Sequence, residues 1–146
     1  MRLRNSFQAK HIKDFSKKFD QTLLSHISKQ ASVDKRIKQS MNYFVKTGGK
    51  RIRPFLISTM GSLIGIKSQI LNDFSLAVEC VHLHSLIHDD LPAMDNDDYR
   101  RGKLTVHKKF DEATAVLAGD MFQVLSIKTL VDSKHLSANQ KVEAIQ

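Results

Sequence analysis

Cysteine is almost absent. Cys80 is the single thiol in 146 residues, so no internal disulfide framework can hold the fold, and its apolar neighbours make it a buried structural thiol rather than a nucleophile. Long apolar runs are missing as well: none approaches the ~18 residues that cross a bilayer. The basic opening Met1-Arg2-Leu3-Arg4-Asn5 has no apolar core behind it and does not read as a signal peptide, so a cytoplasmic protein with no membrane partner is expected. Sustained period-two alternation is not found; no strands are predicted and the chain reads as all-α. Acids are scarce at the start, where residues 1–53 hold fourteen of the twenty-three Lys and Arg but only Asp14, Asp20 and Asp34. That excess comes without interleaved aromatics, a zinc signature or a helix-turn-helix pattern, so it reads as a solvated face and no nucleic-acid partner is expected.

What is present is ordinary for a globular chain: 41% hydrophobic and 26% charged residues, in a length that fits one domain with a proper core. Helical spacing runs over residues 7–30, where Phe7, Ile12, Phe15, Phe19, Leu23 and Ile27 recur every three to five positions. Ser32 is placed to cap a second helix bearing Val33, Ile37, Met41 and Phe44, closed by Thr47-Gly48-Gly49. Pro54 suits the first turn of a third, which reaches Leu63-Ile64 before Gly65. The fourth, from about Ser68 to Asp90, is apolar over much of its circumference and belongs in the middle of a bundle. Near its end His82 shares a face with Asp89, while His84 and His88 form a neighbouring stripe one turn apart. A fifth helix at about 112–131 carries Asp120 within an apolar face, costly unless the acid pairs with a basic loop residue or supports a bound group. Ser137 to Gln146 look like the opening of another helix.

The stretch from His88 to Gly102 holds five carboxylates and two guanidiniums in fifteen residues, and Pro92 breaks the helix so that later aspartates can turn back. By itself an acidic stretch also fits a solvated turn. Carboxylates at this density nevertheless suit a hard divalent cation; Mg2+ takes one or two carboxylates plus phosphate oxygens. The adjoining Arg100-Arg101 pair suits a polyanion, because guanidinium forks match phosphate geometry. Lys50-Arg51-Ile52-Arg53, after two glycines, offers three further cations at a flexible turn. No nucleophilic triad is legible.

Taken in order, Gly48-Gly49-Lys50-Arg51-Ile52-Arg53-Pro54, then Ala77-Val78-Glu79-Cys80-Val81-His82, then Ser85-Leu86-Ile87-His88-Asp89-Asp90-Leu91-Pro92-Ala93-Met94-Asp95 closely resemble the trans-isoprenyl diphosphate synthases. Arg100-Arg101-Gly102 and Leu117-Ala118-Gly119-Asp120 continue the match, and the nearest likeness is to bacterial farnesyl-type members (geranyltranstransferases). The resemblance covers about residues 47–125. It implies an all-α isoprenoid synthase-type bundle and a Mg2+-dependent prenyl transfer from an allylic diphosphate (dimethylallyl or geranyl) to isopentenyl diphosphate. By that resemblance Asp89 and Asp95 are the metal ligands on the allylic diphosphate, Asp90 supports them, and Arg100 binds the same diphosphate. Lys50, Arg53, His82 and Arg101 match the cluster that holds isopentenyl diphosphate. His84 and Ser85 match the floor of the pocket that sets product length, with His84 where farnesyl-type enzymes commonly carry tyrosine. Leu104 and Asp111 depart from the usual proline and glycine at positions that are not ligands.

The family is roughly twice this length. Its second aspartate-rich motif lies in the half with no counterpart here. Residues 1–146 are therefore expected to be the N-terminal half of a single all-α domain, inactive alone, open on one side of its core and prone to associate; a homodimer is the implied assembly. Two other readings stay in view. One is a non-catalytic or regulatory prenyl-synthase subunit. The other is a metal-dependent phosphohydrolase built on His82 or His84, His88 and Asp89, which leaves Lys50, Arg53, Arg100 and Arg101 without a purpose.

Overall fold

A computed structural model describes residues 2–146, with side chains from Lys10 onward, so Phe7 and the Met1–Asn5 opening lie outside the described side chains. Helices run over Arg2–Ser28 (α1), Lys35–Lys46 (α2), Ile52–Leu63 (α3), Ser68–Asp89 (α4), Val106–Lys109 (α5), Glu112–Val131 (α6) and Ala138–Ile145 (α7). The apolar spacing read from the sequence becomes the core: Phe19, Leu23 and Ile27 of α1 and Ile37, Met41 and Phe44 of α2 are buried. They meet Leu76, Cys80, Leu83 and Ile87 of α4 and Ala115, Ala118, Phe122 and Leu125 of α6 in one cluster. Helix α4 is central, packing on α6 along one side and on α3 along another. Burial pushes the Cys80 thiol up to about 12, with the neighbouring Glu79 charge adding to the rise, so this cysteine is inert packing.

Helix ends follow local chemistry. The cap of α2 is Asp34, not Ser32: its carboxylate accepts from the Arg36 amide at 2.7 Å and the Ile37 amide at 3.3 Å. Ser32 sits two residues too early, and a charged acceptor at the positive end of the helix is the stronger cap. Asp111 caps α6 through the Thr114 amide at 2.7 Å, and its carboxyl is held down at about 2 by that bond and by Arg36. The Asp111 departure thus has a structural purpose. Ser137 opens α7 as expected, in a reciprocal capping box with Gln140.

One expectation fails. A short antiparallel hairpin pairs Tyr99–Arg100 (β1) with Lys103–Leu104 (β2) across a two-residue turn. Both turn residues take positive φ, 55° at Arg101 and 74° at Gly102, the signs of the type I′ turn that matches strand twist. Two residues per strand are too few to show alternation. The hairpin is pinned to α2 by the Tyr43 hydroxyl, which donates to the Leu104 carbonyl at 2.7 Å.

One side of the bundle is left apolar and open. Leu56, Met60, Leu63 and Ile64 near α3 are exposed, and so are Val81, Leu117, Val124, Ile127 and Val131 on α4 and α6. Helix α6 is long and apolar enough by composition to cross a membrane, yet half of it is buried against this bundle, as a core helix would be.

Candidate active site

The end of α4 and the turn after it gather the acidic residues. Pro92 prevents the helix from continuing, and the chain folds back so that the Asp95 amide donates to the Asp89 carbonyl at 2.8 Å. Met94 and Asn96 amides both bond the Leu91 carbonyl, with Asn96 at φ 54°. This tight reversal sets Asp95 beside the last turn of α4. The base of the loop is held by Thr105, whose hydroxyl donates to the Asp97 carbonyl at 2.8 Å and lies 3.1 Å from His107 Nδ1. Asp89 is half-buried and Asp95 exposed, so both present oxygens that water and phosphate can reach. An all-oxygen, solvent-accessible pair of carboxylates is the donor chemistry that fits Mg2+.

Asp90 is different. It is buried, and Arg100 clamps it: Nε bonds both carboxylate oxygens at 2.7 and 2.9 Å and Nη2 reaches Oδ1 at 2.6 Å. That bonding raises the Arg100 guanidinium further above its ordinary range. Asp90 therefore fixes an arginine beside Asp89. The next residue, Arg101, stands in the turn at φ 55° and sends its side chain to Gly49 rather than to Asp90. There its Nη1 lies 2.9 Å from where a Cβ on Gly49 would sit, so a side chain at 49 would displace the guanidinium.

Lys50, Arg53, His82 and Arg101 line one cavity of about 280 Å3, together with Gly49, Arg51, Ile52 and Glu79. All four cluster residues expected from the sequence are brought together. Arg51 is not one of the open cations. It is buried, with Nε on Asp20 at 2.7 Å, Nη1 on Glu79 at 2.7 Å and Nη2 on the Val45 carbonyl at 3.2 Å. Its backbone takes the left-handed conformation at φ 48°, which turns the side chain inward while Lys50 and Arg53 stay exposed. Burial and the surrounding positive charge of Arg53 and Arg101 push His82 below its ordinary value, so the imidazole is neutral at pH 7. Arg101 is likewise lowered, by desolvation and by Arg51 and Arg100. An anion entering the cavity would relieve both.

The sequence reading passed over Glu79 and Asp20 as partners. An acid at position 79, on the buried face of an apolar helix, was the available signal, because a buried carboxylate demands a cation. Of the two roles expected for Asp120, pairing with a basic loop residue is not seen among the described residues: its side chain is 53% exposed and its ion-pair contact is with His88 Nε2 of α4 at 3.8 Å. His84 lies beside it, Nδ1 to the Gly119 carbonyl at 3.1 Å, while the Ser85 hydroxyl caps the His82 carbonyl at 3.0 Å. The largest recess, about 630 Å3 between α1 and the C-terminal end of α6, touches none of these motifs.

The polyprenyl synthetase family profile matches residues 34–146. The chain is 47% identical over 108 residues to the farnesyl diphosphate synthase of Haemophilus influenzae, covering 74% of this chain and 37% of that protein. It is 44% identical over 133 residues to the farnesyl diphosphate synthase of Micrococcus luteus, covering 91% of this chain and 44% of that protein. Among solved structures, the geranyltransferase of Legionella pneumophila superposes with a TM-score of 0.81 at 41% identity, over 92% of this chain and 50% of that one. The chain thus spans half or less of the length of these relatives. With the motifs gathered at one end of an all-α bundle and the family profile running through all of them, this chain belongs to the polyprenyl synthetase family.

Proposed function

We propose that residues 1–146 are the N-terminal half of a single-domain, cytoplasmic, homodimeric prenyltransferase. It condenses dimethylallyl diphosphate with isopentenyl diphosphate to geranyl diphosphate, and geranyl diphosphate with a second isopentenyl diphosphate to farnesyl diphosphate, releasing one diphosphate at each condensation. The carrying observation is the segregation of charge about the end of α4. Arg100 is held on Asp90 next to the carboxylates, whereas the adjacent Arg101 lines the cavity with Lys50, Arg53 and His82. Two diphosphates can therefore be held separately by one short segment.

Asp89 and Asp95 would hold Mg2+, which when bound offsets the negative charge that builds on departing diphosphate. Arg100, fixed by Asp90, keeps its Nη1 donors for that same diphosphate. Lys50, Arg53 and Arg101 grip the second diphosphate by charge-assisted hydrogen bonds, and His82 adds a further donor. Held this way, the allylic C1–O bond breaks, the isopentenyl double bond attacks C1, and the proton then lost passes to diphosphate. The chain's own part is binding, orientation and charge stabilisation, and no side-chain nucleophile is called for. His84 and Ser85, one turn before the motif, set product length. The exposed apolar side chains of α3, α4 and α6 support a covering partner, in the remaining half and in a second copy.

The test is prenyl transfer by the complete protein, assayed with both substrates and Mg2+. Turnover should fall by ~10^3-fold or more in Asp89→Ala, since a metal ligand is worth several kcal/mol of transition-state stabilisation. Normal turnover in that variant would sink the reading. Residues 1–146 expressed alone should show none.

A further inference from the structure

We propose a second metal site, for a zinc-type first-row transition cation, formed by His84, His88 and Asp120 where α4 crosses α6. Each of the three offers a ligand atom within 4.8 Å of the other two, a group that includes neither Asp89 nor Asp95. The two histidines are one helical turn apart, rings 4.4 Å centroid to centroid and nearly perpendicular, so their nitrogens converge instead of stacking face to face. Asp120 comes from the facing helix. Two imidazoles and one carboxylate form a borderline donor set that suits zinc, cobalt or nickel rather than Mg2+. Three protein ligands with a fourth position open to water is the usual count of a zinc site that is not purely structural.

The surroundings prepare the ligands. His84 Nδ1 lies 3.1 Å from the Gly119 carbonyl; donating its proton there leaves Nε2 with a free lone pair, the orientation that outer-shell carbonyls impose on metal-binding histidines. His88 Nε2 sits between the Val116 carbonyl at 3.1 Å and Asp120 Oδ1 at 3.8 Å. With its proton on Nδ1 and its ring rotated off the Val116 carbonyl, His88 would present the Nε2 lone pair to the space that Asp120 Oδ1 borders. The Val116 carbonyl loses little, because it keeps its intrahelical partner. Gly119 makes the approach possible, since a Cβ there would lie 2.2 Å from His88 Nε2. All three side chains are only half-buried or exposed, so an ion and a water can enter. Ligand atoms of a tetrahedral zinc lie ~3.3 Å apart at Zn–N lengths of ~2.0–2.1 Å, so small rotamer shifts close the site.

A bound ion would tie α4 to α6 and hold the His84 ring in place. The proposal is independent of prenyl transfer, because it is read with metal alone and no diphosphate. The complete, tag-free chain would be titrated with Zn2+ by calorimetry and with Co2+ by visible absorption, beside His84→Ala, Asp120→Asn and Asp89→Asn, each checked for unchanged helicity by circular dichroism. Expected are one equivalent of bound ion, the intense d–d bands of low-coordinate Co2+, and a rise in Tm with Zn2+. Affinity should fall at least tenfold in His84→Ala and Asp120→Asn and stay within twofold in Asp89→Asn. Absence of binding, or unchanged affinity in His84→Ala, overturns the site. Loss in Asp89→Asn with retention in Asp120→Asn also overturns it, and points instead to the ligand set of a His-Asp phosphohydrolase.

Discussion

Arg51 and Arg53 lie two residues apart and carry the same guanidinium, yet the first is 2% exposed between Asp20 and Glu79 and the second stands open at the rim of a cavity. Asp90 and Asp89 repeat the contrast with the sign reversed. Asp90 is buried under Arg100, while its neighbour Asp89 is half-buried and forms no ion pair among the described residues. In each cluster one charged residue is consumed by architecture, and that buried pair holds the free charges at a fixed place. The cost of burying an ion decides which is which. An enclosed guanidinium or carboxylate must be matched within the protein, whereas one facing solvent can wait for a ligand.

The largest effect that separates the two kinds is on stability. Arg51→Met leaves Glu79 buried without its cation and should cost about 3–5 kcal/mol in urea unfolding, against about 0.5 kcal/mol or less for Arg53→Ala. Equal losses would erase the distinction. The next, Asp90→Asn, should destabilise by about 1–3 kcal/mol because the Arg100 clamp loses its charge, while Asp89→Asn should be near neutral. A thermal shift larger for Asp89→Asn than for Asp90→Asn would reverse the assignment. In the complete protein, Lys50→Ala should raise KM for isopentenyl diphosphate by about tenfold, one charge-assisted hydrogen bond, with kcat less affected. A pure kcat effect would move Lys50 out of the binding cluster.

The smallest effect is on pH dependence. The folded value of His82 lies below 6.5, through burial and the facing Arg53, Arg101 and Arg51, with Glu79 opposing. In the window just below 6.5 the unfolded chain binds more protons at this site, so stability should rise with pH there and fall as acid protonates the ring. His82→Gln should flatten that slope in urea midpoints measured from pH 5 to 7, leaving the part due to His26, which burial also lowers. An unchanged slope would mean that the cavity is wetter and less positive than its lining implies.

Much of this was legible in one dimension. Helical periodicity depends on near neighbours, so the runs that became α1, α2, α3, α4 and α6 could be read from the spacing of Phe, Leu, Ile and Met. Motif order pointed to the family, whose profile matches residues 34–146, and to Lys50, Arg53, His82 and Arg101, which the fold brings to one cavity. The hairpin escaped, since its two-residue strands carry no period, and with it the reason why Arg100 and Arg101 face different clusters. The Asp34 cap was misplaced by two residues, a matter of local geometry between two good capping residues.

Composition and spacing by themselves thus determined an all-α chain with a run of carboxylates and arginines after its fourth helix, and the resemblance of its motifs pointed to the family. Which of those charges are structural and which are free was decided only by the tertiary structure. Burial depends on what α1 and α4 bring across the gap to Arg51, and on what the hairpin brings to Asp90, contacts separated by 31, 28 and 10 residues. The approach of Asp120 to His84 and His88 has the same origin, in the crossing of α6 over α4 at Gly119. Local sequence specifies the helices, but desolvation is a property of the assembled packing, and it is desolvation that assigns each charge its task.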